Sequence, residues 1–84
     1  MNSSVDAITC VEKVFARCLT DAEECCLRGS WDDLTYQQIA DRSCYSTDYM
    51  KQVGAALWKD LSALAGQEVN KGNFKSAIRK LCNE

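Results

Sequence analysis

The 84-residue chain is predicted to form one all-α domain of about five helices, and three features of the sequence point to this class. Proline is absent and glycine occurs only four times, which leaves too few turn residues for a β-rich fold. Apolar residues recur every three or four positions, the period of an amphipathic helix. The apolar share of 46% is typical of a soluble globular protein with one modest core, so we expect a single domain over residues 1–84.

The first helix is predicted over residues 5–18. Asp6 suits the positive end of this helix, and Ser3 or Ser4 is expected to cap it. The apolar stripe that defines the helix consists of Ile8, Val11, Phe15 and Cys18.

A second helix is predicted to begin after Thr20. The apolar stripe continues through Ala22 and Cys25, so a single long helix is the alternative. Thr20 and Glu23 have the spacing of a capping box, however, and this pattern favours a break before Thr20. We expect Gly29 to end the second helix, because glycine readily adopts the left-handed conformation found at helix ends.

Residues 29–34 are predicted to form a turn from which Trp31 and Leu34 fold back onto the core. A second capping box begins at Thr35 and starts a short third helix that ends at residue 41 or 42. A tight turn at residues 43–45 follows.

The fourth helix is predicted to be capped by Ser46 and ended by Gly66. Asn70 is expected to cap the last helix, and residues 67–70 leave room for at most a vestigial wing. The inward positions of these two helices are Met50, Val53, Leu57, Trp58, Leu61 and Leu64, followed by Phe74, Ala77, Ile78 and Leu81.

The third and fourth helices, with the tight turn between them, have the pattern of a helix-turn-helix. In such a unit the second helix enters the major groove of double-stranded DNA and its first residues face the base edges. We therefore predict DNA as a partner. The predicted DNA-binding residues are Ser46, Thr47, Lys51, Gln52 and Lys59 on the fourth helix and the basic stripe Lys71, Lys75 and Arg79 on the last helix.

Several features favour an alternative function in protein interaction or self-association. The net charge is −2, and residues 1–42 hold eight acidic but only four basic residues. Asp48 places a negative charge at the start of the fourth helix, and Cys44 stands where such turns usually have glycine. For this alternative the apolar stripe from Ile8 to Cys25 is the expected partner face.

The six cysteines are predicted to be free thiols in a reducing cytoplasm, because the first residues lack the apolar run of a signal peptide. Three disulfides in a secreted protein are the less favoured alternative. Histidine and CxxC pairs are absent, and the adjacent Cys25 and Cys26 point about 100° apart on a helix, so we predict no metal site. No catalytic residue, cofactor or small-molecule substrate is expected, and no stretch has the length of a membrane span.

The segment LRGSWDDLTYQQIADRSCYSTDYMKQVGAALWKDLSALAGQEVNKGNFKSAIRKL resembles an N-terminal helix-turn-helix domain of cyanobacterial signalling proteins. In that family the domain usually precedes an AAA-like, NB-ARC or NACHT-type nucleotide-binding domain, and it is also described with von Willebrand A and MoxR modules. The resemblance implies a winged-helix-like or related trihelical fold and a regulatory or conflict-response setting. A homodimer would fit either function, and another signalling protein is the alternative partner. The chain itself lacks the phosphate-binding pattern GxxxxGK[ST], so it is not predicted to be the ATPase.

Overall fold

The computed structural model describes residues 4–82, which contain five α-helices and no strand. The all-α class predicted from the sequence is therefore confirmed, and residues 67–70 form no wing strand. The predicted cap at Ser3 lies outside the described residues. The helices are α1 (Ser4–Phe15), α2 (Asp21–Trp31), α3 (Tyr36–Asp41), α4 (Thr47–Ala65) and α5 (Phe74–Cys82).

Helix α1 ends three residues earlier than predicted, at Phe15. Ala16 adopts a left-handed conformation with φ 58°, and the Arg17 N–H donates to the Glu12 carbonyl at 3.2 Å. This pair of features is a Schellman-type ending. The predicted break before Thr20 is confirmed, because the Thr20 hydroxyl and the Glu23 carboxylate form both hydrogen bonds of the capping box.

Helix α2 continues to Trp31, so the prediction that Gly29 ends it is wrong. A Cβ atom at Gly29 would lie 2.4 Å from Ile39 Cγ1, which shows that α2 and α3 meet at this glycine. The left-handed residue that follows the helix end is Asp33, with φ 64°, and the Leu34 N–H donates to the Gly29 carbonyl. Gly29 is therefore a packing residue.

The local signals of α3 and α4 are confirmed. Thr35 forms the second capping box, the Ser46 hydroxyl accepts the Tyr49 N–H at 3.1 Å, and Gly66 ends α4 with φ 69°. The turn between the helices does not require glycine. Cys44 is not among the described residues with positive φ, so the turn has a shape that other residues can adopt.

The five helices enclose one core in which α4 is central. Trp58 stacks on Phe74 with ring centroids 4.6 Å apart, and Trp31 meets Phe74 edge-on at 5.9 Å. Leu64, predicted to be buried, is 47% exposed. Half of the proposed partner face from Ile8 to Cys25 is core, because Ile8, Val11 and Ala22 are buried. Phe15 and Cys25 are half-buried, and Cys18 is exposed.

The structure joins Cys10 of α1 to Cys82 of α5 in a disulfide, with Cα atoms 6.2 Å apart. The free-thiol prediction is therefore wrong for these two residues. Cys18, Cys25, Cys26 and Cys44 are free thiols. Burial raises the pKa of the Cys26 thiol to about 11, which keeps it protonated at neutral pH.

No helix within residues 4–82 combines the length and the apolar character needed to span a membrane.

Candidate nucleic-acid interface

The first two turns of α4 form the exposed tip of a helix-turn-helix unit. Ser46 caps the helix, and Lys51 and Gln52 are exposed one turn later, whereas Thr47 is half-buried. The first backbone N–H groups of a helix have no partner within the helix and carry its positive dipole end. The tip therefore combines donors for an anion with side chains able to reach base edges.

The predicted DNA-binding residues of α4 lie at different distances from the start of the helix. Gln52 is six residues from Ser46, about 9 Å along the axis, whereas Lys59 is about 20 Å from Ser46. Gln52, Lys59 and the acidic Asp48 share one exposed face, because their spacings of four and seven residues match the helical period. A ligand that meets Gln52 at the tip therefore also meets the Asp48 carboxylate.

The angle between α3 and α4 is held by a contact at Gly54. The Tyr36 hydroxyl accepts a hydrogen bond from Trp58 Nε1 at 3.0 Å, and a Cβ at Gly54 would lie 2.6 Å from that hydroxyl oxygen. Glycine is therefore needed for the close approach of Tyr36 to α4. Burial raises the pKa of Tyr36 above its usual value, so the hydroxyl stays neutral.

The basic stripe is engaged within the chain. Contrary to the prediction that Asn70 caps the last helix, α5 begins at Phe74. Lys71 therefore lies in the turn before α5, and Lys75 and Arg79 lie on it. Lys71 Nζ donates to the Leu34 carbonyl and lies 5.5 Å from the centroid of the Tyr36 ring. Lys75 Nζ lies 2.9 Å from Asp33 Oδ1 and 5.6 Å from the centroid of the Trp31 ring.

Arg79 follows the same pattern, with its guanidinium carbon 5.7 Å from the Trp31 ring centroid. Lys71, Lys75 and Arg79 therefore fasten the last helical segment to the end of α2 and to the loop before α3. These three side chains primarily stabilise the fold. A phosphate that binds one of them must compete with the partner that the side chain already has within the chain.

The charge of the helix-turn-helix unit is balanced. Residues 35–65 contain three basic residues, Arg42, Lys51 and Lys59, and three acidic residues, Asp41, Asp48 and Asp60. Their sum is zero, so the unit lacks the strong positive field of a nonspecific nucleic-acid binder.

Two groups at this surface were missed in the sequence. Arg42 caps the C-terminus of α3 and is exposed next to the turn, within the same unit as Lys51. Tyr45 and Tyr49 flank Ser46 with ring centroids 5.3 Å apart, and Tyr49 is 44% exposed. The position of Arg42 just before the turn was a usable signal, whereas the exposure of Tyr49 depends on the packing of α4.

A five-helix domain with this capped tip and this turn is a helix-turn-helix domain. The family model of the vWA-MoxR associated protein N-terminal HTH matches residues 3–81, and the chain belongs to this family. The helix-turn-helix and the vWA-MoxR parts of the resemblance are thereby confirmed. No curated protein and no solved structure matches the chain.

Proposed function

We propose that the domain is a DNA-binding helix-turn-helix module with a regulatory role in the cytoplasm. The observation that supports this function is the exposed tip of α4, where Lys51 and Gln52 project from the first two turns behind the Ser46 cap. A recognition helix needs this combination of a free N-terminus and polar side chains within two turns of it.

In this proposal the two kinds of contact have separate tasks. The Ser46 hydroxyl and the first N–H groups of α4 hold a phosphate and fix the position of the helix. The Gln52 amide pairs with adenine in bidentate fashion, Lys51 donates to guanine, and Asp48 accepts from the amino group of cytosine. Arg42 and Lys59 flank the groove and contact the backbone.

The charge balance sets the expected strength of binding. Few free cations are available, since Lys71 and Lys75 already have partners in the chain. About two to four phosphate contacts are expected, which corresponds to a log–log salt slope of about −2 to −4 and micromolar affinity at low salt. Specific contacts, more than the electrostatic field, would then select the site.

The test is binding to a pool of random fluorescent duplexes over a salt series. Lys51→Ala is expected to weaken binding about tenfold and to relax the preference for guanine at the position that Lys51 contacts. Lys13→Ala is the matched control, because it removes the same charge from an exposed position on α1. Equal losses in both variants, or no binding at low salt by the folded protein, would rule out α4 as the reading helix.

A second candidate function is protein interaction without DNA, and the zero net charge of residues 35–65 favours it.

We propose, from the family resemblance, that the domain is the N-terminal part of a signalling ATPase or a partner to one. The expected neighbour is an AAA-like, NB-ARC or NACHT-type domain of a cyanobacterial signalling or conflict-response protein. Expression beside such an ATPase and co-purification of the two would test this setting.

A further inference from the structure

Helix α4 carries an apolar stripe that the fold leaves uncovered within the described residues. Tyr49 is 44% exposed and Leu64 is 47% exposed, and these are two of the three large apolar side chains described as exposed. Helical spacing aligns them on one side of α4 with the half-buried Val53, the exposed Ala56 and Ala63, and the exposed acidic residue Asp60. A side of a helix with this composition is typical of an interface.

The two ends of the stripe differ in shape. At the first end Tyr49 projects with its ring tilted against Tyr45. At the other end is an open hollow of about 320 Å³ between the end of α1 and the last turns of α4. The residues that line this hollow are Val14, Phe15, Arg17, Asp60, Ala63 and Leu64.

The projection and the hollow are related by a simple symmetry. Tyr49 is seven residues before Ala56, and Ala63 is seven residues after it. Each therefore lies about 10 Å along the axis from Ala56, in opposite directions. A two-fold axis at Ala56 that relates two antiparallel copies of α4 would bring each Tyr49 to the hollow of the other copy.

The chemistry of the hollow suits a tyrosine. The Arg17 guanidinium already lies 5.3 Å from the centroid of the Phe15 ring. The ring of an incoming tyrosine would give this cation a second aromatic contact. The carboxylate of Asp60 can accept the hydrogen bond that a tyrosine hydroxyl needs once it leaves water. The same symmetry places Gln52, an amide donor, opposite Asp60.

We infer that this face binds a second copy of the chain and forms a two-fold symmetric dimer through antiparallel α4 helices. Small side chains at Ala56 let the two helices approach closely, and Tyr49 is the anchor of each half. Lys51 lies about 160° around the helix from Tyr49 and stays outside this interface, whereas Gln52 faces Asp60 of the other copy, so the dimer and base reading by Gln52 exclude each other. Because only α4 and the residues beside it meet across the axis, the dimer buries about 1,200 Å² of surface or less. Such a small interface is weak, and we expect a Kd in the high micromolar range.

The first test is sedimentation equilibrium over a concentration series, with the exposed thiols alkylated and the Cys10–Cys82 disulfide left closed. The wild type is expected to approach twice the chain mass, and Ala56→Glu is expected to stay monomeric because it places two carboxylates at the two-fold axis. Ala55→Glu is the matched control and should dimerise as the wild type does, since this exposed neighbour lies about 100° around α4. A wild type that is monomeric up to about 1 mM, or equal behaviour of the two variants, would overturn the inference.

The second test examines the antiparallel register. In a background with Cys18→Ser and Cys44→Ser, which removes the exposed thiols, Ala56→Cys should cross-link to itself across the two-fold axis on mild oxidation. Ala55→Cys should cross-link much less. Equal cross-linking of the two variants would exclude this arrangement of the helices.

Discussion

Replacing Gly29 by alanine tests the contact that sets the distance between α2 and α3. The new Cβ would lie 2.4 Å from Ile39 Cγ1 and 2.8 Å from Ile39 Cδ1, well inside ordinary contact distance. Ile39 is only 3% exposed and its branched side chain is stiff at χ1, so it cannot simply rotate into solvent. The two helices must move apart, or Ile39 must adopt a strained rotamer.

Two opposing effects determine the size of the change. Alanine in place of glycine inside a helix stabilises it by about 1 kcal/mol. Overpacking a filled core costs about 1–3 kcal/mol, and a contact as short as this one belongs in the upper part of that range. The net loss is about 1–2 kcal/mol, which for a domain of this size lowers Tm by about 4–16 °C.

Urea and thermal denaturation followed by circular dichroism measure this loss. Ile39→Ala removes both of the atoms that collide with the new methyl group, so Gly29→Ala should cost less in that background. The double-mutant cycle should give a coupling of about 1–3 kcal/mol. An increase in stability of about 1 kcal/mol for Gly29→Ala alone, as expected for a helical glycine in open space, would refute the reasoning.

Two further predictions concern the disulfide between α1 and α5 and the start of α2. Cys10→Ser removes the disulfide to Cys82, which is 72 residues away. Under oxidising conditions this should lower the free energy of unfolding by up to about 4 kcal/mol, while the control Cys18→Ser should have little effect. Alkylation of all six thiols in the oxidised wild type would contradict this prediction. Hydrogen bonds from Arg17 are the main cause that lowers the pKa of Glu23 from 4.5 to about 2, so the stability Glu23 contributes is complete above pH 4.5 and is lost as the pH falls towards 2. Glu23→Gln keeps a capping box but lacks the carboxylate. The free energy of unfolding of this variant should therefore change with pH by about 1–2 kcal/mol less than that of the wild type, a figure that allows for the exposure of Arg17. Parallel profiles of stability against pH for the two proteins would contradict this prediction.

The sequence determined where most of the helices begin, and it identified the tip of α4. Thr20, Thr35 and Ser46 each bond a backbone N–H only three residues away, so these helix starts depend on neighbours in the chain. The same locality made the α4 part of the candidate site predictable, because a cap followed by polar residues within two turns is a property of one segment.

Tertiary structure decided the features whose partners lie far along the chain. Lys71 and Lys75 had the spacing of an exposed basic stripe, but their partners are 37 and 42 residues away. The disulfide partner of Cys10 is 72 residues away, and the role of Gly29 depends on Ile39 of the next helix. Sequence spacing shows which residues share a face of a helix, but packing decides which other element covers that face. For this reason, the exposed stripe at Tyr49 and the engagement of the basic helix became visible only in the folded chain.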